Sequence, residues 1–251
     1  MKCLPVILCA TLPLLSVGGV FQFDASLDGC VVATGAVVTA WHSANGNATA
    51  VLCHEPANGW LAPSPTQDAI SFDSPDGSVS PLSFDEAMTA AVARVFAVTD
   101  CTRFSDNATL IDAPCPIRFA PSPFDETEAQ LVTSNALGSL SISVDASATI
   151  SLTQGLHLAE AEFPAQIMLC DLSIGGSPAT PAWKRSWCGT VREVILTDGT
   201  ESETDCAAVR SYLAKKWGLA PCPSGVENEN AVLRALGIRT GMVYGSLLIM
   251  R

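Results

Sequence analysis

The run at residues 189–219, GTVREVILTDGTESETDCAAVRSYLAKKWGL, constrains the fold more than any other part of the chain. Val191, Val194, Ile195 and Leu196 form a β-rich apolar run, which predicts a buried strand closed by the Asp198–Gly199 turn. Ser202 followed three residues later by Asp205 is a capping-box arrangement that opens a helix. Cys206, Val209, Leu213 and Trp217 then fall on one helical stripe. Lys215 and Lys216 suit the negative end of the helix dipole, Gly218 suits the left-handed position after the helix, and Pro221 prevents its resumption. The expectation is one buried strand, one turn and one amphipathic helix pinned by Trp217.

Short strands punctuated by turns fill the rest. Phe21, Phe23 and Ala25 alternate with Gln22 and Asp24, which predicts a half-buried strand. Residues 37–41 predict a second strand, running into a polar turn at 42–49. Residues 53–67 read as a loop, 69–73 as a strand, 74–80 as a turn, and 91–99 as a central strand buried on both faces. Residues 110–111 make a short strand before a proline-rich loop at 114–123 that ends close to an acidic turn at Asp125, Glu126 and Glu128. Residues 130–132, 140–144, 149–152 and 166–172 continue the series, and 175–181 form a loop. The pattern predicts an all-β, two-sheet antiparallel sandwich with one short C-terminal helix, and 251 residues suit one such domain.

The closing run resembles that of laminin-G-like members of the concanavalin A-like lectin/glucanase superfamily. Their strand "G-x-I-x-E-V-I-x-Y" is matched by Gly189, Val191, Glu193, Val194 and Ile195, with Thr197 at the Tyr position. Their helix pattern, ending "Y-L-x-x-K-W-G-L", is matched by Ser202, Asp205, Val209, Tyr212, Leu213, Lys216, Trp217, Gly218 and Leu219. Phe23-Asp24-Ala25-Ser26 is similar to the "L-D-A-S" opening of the same group. Trp41, Gly46 and Asn47 keep its "W-x-D-x-S-G-N-G" turn in register, while Ser43 replaces the acidic residue and Ala48 the last glycine. The resemblance spans about residues 21–219. It implies a jelly-roll sandwich over residues 19–221, and a fold of this kind does not fix function.

Residues 1–18 read as a signal peptide: Lys2, then an apolar run at 3–15, then Ser16 and Gly18 for cleavage after Gly18. The run is too short for a membrane span of about 20 residues. The alternative is that these residues are the first strand of the sheet. Cleavage would remove two of ten cysteines and leave eight, an even number compatible with disulfides in a secreted chain. The alternative is buried free thiols. Residues 222–251 form a C-terminal extension, read as a short helix at 230–236 and a strand at 242–250 that adds to this sheet or to a neighbour's, making it a self-assembly device. Net charge is −12, which argues against a nucleic-acid partner.

Little in the sequence carries catalysis. The superfamily's retaining glucanases set carboxylates as "E-x-D-x-x-E" on one strand, and no such motif occurs. His42, His54 and His157 lie outside any nucleophile context, and no phosphate loop or dinucleotide fingerprint appears. The chain is therefore read as no enzyme. Sugar binding, which the resemblance allows, needs an exposed ring and convergent polar groups. Trp41 and Trp217 read as core, so Trp60, Trp183 and Trp187 are the ring candidates, with Asn45, Asn47 and Asn58 as polar partners. Asp73 and Asp76, in a turn, are the candidate ligands for Ca2+, the one cofactor the resemblance admits. The expected function is carbohydrate binding or adhesion by an extracellular or particle-surface protein, with glycans or other surface proteins as partners. The rival is a structural component of a virion or surface assembly, and a glycoside hydrolase lacking the usual carboxylate motif ranks third.

Overall fold

The computed structural model describes residues 19–75, 78–122, 125–132, 141–147, 150–179, 181, 185–220 and 225–240. In chain order the first strands are β1 (Phe21–Asp24), β2 (Val31–Thr34), β3 (Val37–His42), β4 (Thr49–Leu52), β5 (Trp60–Leu61) and β6 (Ser64–Pro65). Then come β7 (Ile70–Ser71), β8 (Ser78–Val79), β9 (Leu82–Phe84), β10 (Ala91–Cys101), β11 (Thr109–Asp112) and β12 (Ile117–Ser122). The last are β13 (Asp125–Val132), β14 (Ser141–Val144), β15 (Ser151–Thr153), β16 (Gly155–Met168), β17 (Ser173–Ile174) and β18 (Gly189–Thr197). Two helices follow, α1 (Glu203–Trp217) and α2 (Glu229–Ala235).

Among the described residues these strands form two large antiparallel sheets. One runs β14-β16-β10-β18-β7-β6, with β1 also paired to β18; the other runs β15-β13-β12-β11-β17-β9-β4-β3-β2. A small parallel pair, β5 with β8, stands apart. The chain is thus mostly β, as the turn-punctuated pattern predicts.

One apolar core draws on both sheets. Phe23, Val95, Ala97, Val194 and Leu196 of the first join Trp41, Ala50, Leu82, Ile111 and Phe119 of the second. The opposite face of the first sheet is also covered, because Phe96, Val98 and Ile195 pack against Val209 and Leu213 of α1. That second covering is why β10 and β18 read as continuous apolar runs: both of their faces are removed from water.

The helix follows its local signals. Ser202 accepts from the Asp205 N–H, Asp205 accepts in return from the Ser202 N–H, and Gly218 ends the helix in the left-handed region at φ 68°. At Gly189 a Cβ would land on the Asp100 carbonyl oxygen, so the absence of a side chain lets β10 and β18 close at that end.

Several expectations need correction. β1 is buried on both faces rather than half-buried, because α1 covers Gln22 and Asp24. The loop expected at 114–123 holds β12, with Pro121 beside a register shift, the kind of irregularity where a strand accommodates proline. The expected acidic turn at Asp125, Glu126 and Glu128 lies within β13. The longest strand, β16, extends well before the expected 166–172, and that range closes in a short 3-10 turn at Leu169–Asp171. In its middle, Ala159, Ala161 and Phe163 enter the core, while Glu160 and Glu162 on the other face meet arginines. Two short strands, β5 and β6, break the loop expected at 53–67.

The disulfide expectation also changes. Cys30, Cys53, Cys101, Cys170, Cys188 and Cys206 stand as thiols. Burial pushes Cys101 up to about 12 and Cys188 and Cys206 up to about 11, so these three remain protonated thiols. Cys3, Cys9 and Cys222 lie outside the described residues, as do the leader at 1–18 and the strand expected at 242–250. The helix expected at 230–236 is α2.

Candidate functional site

The end of α1 lies over a row of polar side chains contributed by two strands far apart in sequence. Gln22 and Asp24 of β1 sit opposite Ile195 and Glu193 of β18. Alternation puts Gln22, Asp24 and Glu193 on the face turned to the helix, whose last turn brings Tyr212, Lys216 and Trp217 onto them.

Every oxygen of the two carboxylates is engaged. Glu193 Oε1 accepts from Gln22 Nε2 at 2.7 Å and from Tyr212 OH at 3.1 Å. Glu193 Oε2 accepts from Lys216 Nζ at 2.8 Å and from Trp217 Nε1 at 2.8 Å. Asp24 Oδ2 contacts Lys216 Nζ, while Oδ1 accepts from the Ser26 N–H at 3.0 Å and the Ser26 hydroxyl at 2.7 Å. Both carboxylates have 0% exposure and Lys216 has 14%. Burial, reinforced by the neighbouring Asp24 charge, raises the Glu193 carboxyl above its ordinary range against the opposing pull of Lys216. Burial likewise drives the Tyr212 hydroxyl upward.

Above this row opens a cleft of about 660 Å³, within the size range of small-molecule sites. Tyr212, Lys215, Lys216 and Trp217 form one wall and the start of α2, at Asn228, Glu229 and Asn230, forms another. Ser26, Asp68 and Thr240 close it. Arg192 reaches over the Trp217 ring, 5.3 Å from its centroid, and also pairs with Asp68 at 2.5 Å. Asn228 takes a left-handed backbone and its side chain makes no capping bond to α2. The cleft therefore combines an indole and a phenol with amides, hydroxyls and paired charges.

The predicted site residues lie elsewhere. Trp187 is wholly buried and stacks on Phe119, centroids 4.6 Å apart, so it presents no ring to a ligand. Trp60 is 9% exposed and stacked on His54 at 4.5 Å, with His54 Nε2 within 2.9 Å of the Pro178 carbonyl. Asn45 donates to the Val20 carbonyl and Asn47 accepts from Ser43, both serving the turn between β3 and β4. Asn58 sits at φ 54° just before Gly59. None of these residues lines the cleft at α1. Asp73 engages Thr102 with one oxygen and Arg103 with the other, an arrangement that does not fit a calcium ligand. Trp183 and Asp76 lie outside the described residues. Trp217, read as a core pin, is only partly buried and flanks the cleft.

A second polar cleft, of about 340 Å³, lies beside the first half of α1 and is lined by Arg94, Ser141, Ser143, Glu160, Glu162, Glu203 and Arg210 among others. Arg210 holds Glu160 through two bonds of 2.6 and 2.9 Å, and Arg94 holds Glu162 at 2.9 Å. His157 pairs with Asp145 at 2.8 Å. Burial raises the Asp145 carboxyl, but the bonds from His157 and the Leu158 N–H outweigh it and leave it below the usual carboxylate range.

Among the described residues no helix is long and apolar enough to cross a membrane, and no cluster of His, Cys, Asp and Glu is set to hold a metal ion. No family model, no curated protein and no solved structure matches this chain.

Proposed function

We propose that the chain is a non-catalytic jelly-roll protein of the laminin-G-like kind, extracellular or at a particle surface, that binds a saccharide in the cleft at the end of α1. The observation that carries this reading is the lining of the cleft, where an indole flank meets Asn228, Asn230, Ser26, Thr240 and Asp68. A sugar ring offers one apolar face and a rim of hydroxyls, and such a lining serves both. Non-catalytic action is supported by the state of the carboxylates beside it. Asp24 and Glu193 are engaged below the floor and Asp68 is paired with Arg192, whereas glycoside hydrolysis needs an acid and a base turned to the substrate. A glycan array followed by calorimetry tests the proposal. Asn230→Ala should weaken binding roughly tenfold, the loss of about one net hydrogen bond, without lowering Tm. A parent chain that binds no glycan above background ends this reading.

One observation favours the structural reading, in which the sandwich is a unit of a virion or surface assembly. β2 ends its sheet among the described residues, and three of its four residues are exposed. Val32, at 39% exposure, lies in register with Ala40 and then Val51, at 43%, giving an apolar row beside an open edge. Light scattering of the parent and of Val32→Lys separates the two readings. Self-association that the lysine abolishes supports assembly, and a monomer at all concentrations removes it.

A further inference from the structure

We propose that Lys216 and Asp24 are joined by an intramolecular amide bond, formed by the chain on itself with Glu193 as proton relay. The geometry is that of a reacting set rather than of a surface ion pair. The amine contacts Asp24 Oδ2 directly and lies 2.8 Å from Glu193 Oε2, and neither carboxylate is exposed to water. Asp24 and Glu193 face one another in register across β1 and β18, so the acceptor acid and the relay acid are held by sheet hydrogen bonds on a rigid base. Four donors fix the relay: Gln22 and Tyr212 on Oε1, Lys216 and Trp217 on Oε2.

The electrophile is prepared as well. Asp24 Oδ1 accepts two hydrogen bonds from Ser26, one from its backbone N–H and one from its hydroxyl. Those donors stabilise negative charge as it develops on Oδ1 when the amine adds to the carboxyl carbon. Oδ2, on the amine side, is the oxygen that departs.

The step balances without any added reagent. The Lys216 nitrogen attacks Asp24 Cγ, the C–N bond forms and the C–Oδ2 bond breaks. The ammonium loses two protons in all. One crosses directly to Oδ2 and one passes through Glu193 to the same oxygen, which leaves as water. Burial and the Asp24 charge raise the Glu193 carboxyl, as a group that must hold a proton between two transfers requires. The cleft that Lys216 borders gives the water a way out. Fixed proximity supplies the effective concentration that free amines and acids lack in water. The product ties the first strand of the described fold to the last turn of α1, a link across 192 residues of sequence.

Mass spectrometry of a tryptic digest of the full folded chain tests the bond. The expected result is a branched peptide joining the segments that carry Asp24 and Lys216, lighter than their sum by one water, with no cleavage after Lys216. Linear peptides at their sequence masses, cut after Lys216, overturn the proposal, and this result does not depend on any variant folding. Glu193→Gln, checked for its thermal transition, should give the linear peptides. Glu193→Asp, which keeps an acid but withdraws it, should give at most partial linkage. Full linkage in both variants removes Glu193 from the chemistry.

Discussion

Two charged clusters flank α1, and they solve the same problem differently. Under its last turn, the single Lys216 nitrogen serves two acid side chains that have no exposure at all. Beside its first half, the guanidiniums of Arg94 and Arg210 serve Glu160, Glu162 and Glu203, of which Glu162 is 56% and Glu203 75% exposed. Each cluster has one more acidic than basic group, yet the first lies deeper. Neutral donors make that depth tolerable: Gln22, Tyr212 and Ser26 occupy the oxygens that Lys216 leaves, and Trp217 shares Glu193 Oε2 with it. The open cluster relies on bidentate arginine geometry and on water instead, and the Arg210 guanidinium, hydrogen-bonded to Glu160, is raised further above its usual range. Burial of charge in this protein tracks the number of hydrogen bonds, not the sum of charges.

That comparison predicts a ranking. Lys216→Met removes the proposed amide together with the contact to Glu193, leaves Asp24 and Glu193 facing one another out of water, and should cost at least about 3–5 kcal/mol in chemical denaturation, the range for breaking a buried pair alone. A loss under about 1 kcal/mol would show that neutral donors alone hold the row. Arg210→Met, at a site that water reaches, should cost about 1–2 kcal/mol, near the lower end of the range for hydrogen bonds to charged groups. Equal losses for the two variants would show that the two clusters do not differ in this way. Lys215→Ala removes a pair with Glu229 whose lysine is 70% exposed, and should cost no more than about 0.5 kcal/mol, less still at high salt.

The pH dependence separates the regions once more. The folded Glu193 carboxyl is raised, so its contribution is fully present below the ordinary glutamate range and is lost as pH rises through the folded value. The folded Asp145 carboxyl is lowered, so its contribution is present above the ordinary aspartate range and is lost as pH falls through the folded value. Unfolding curves across acid to neutral pH should therefore flatten at the upper end in Glu193→Gln and at the lower end in Asp145→Asn. An unchanged profile in both variants would refute these assignments.

What could be read from the chain alone follows the range of the interactions. The capping box of Ser202 and Asp205, the left-handed Gly218 and the apolar run of β18 are settled within a few residues, and each formed as expected. β16 was largely hidden because Glu160 and Glu162, on the face opposite Ala159 and Ala161, have their partners Arg210 and Arg94 elsewhere in the chain. Trp60 and Trp187 are covered for a related reason. A ring in a loop sequence is no more exposed than one in a strand once Phe119 or His54 packs on it, and that depends on topology.

The sequence by itself determined the mostly-β character, the closing strand and the helix with its caps, because alternation, turns and capping are local chemistry. The tertiary structure alone decided that Gln22 and Asp24 would meet Glu193 beneath Lys216 and Trp217, and that a cleft would open above them. Those side chains come from both ends of the described chain, and only the pairing of β1 with β18 under α1 brings them within hydrogen-bonding distance.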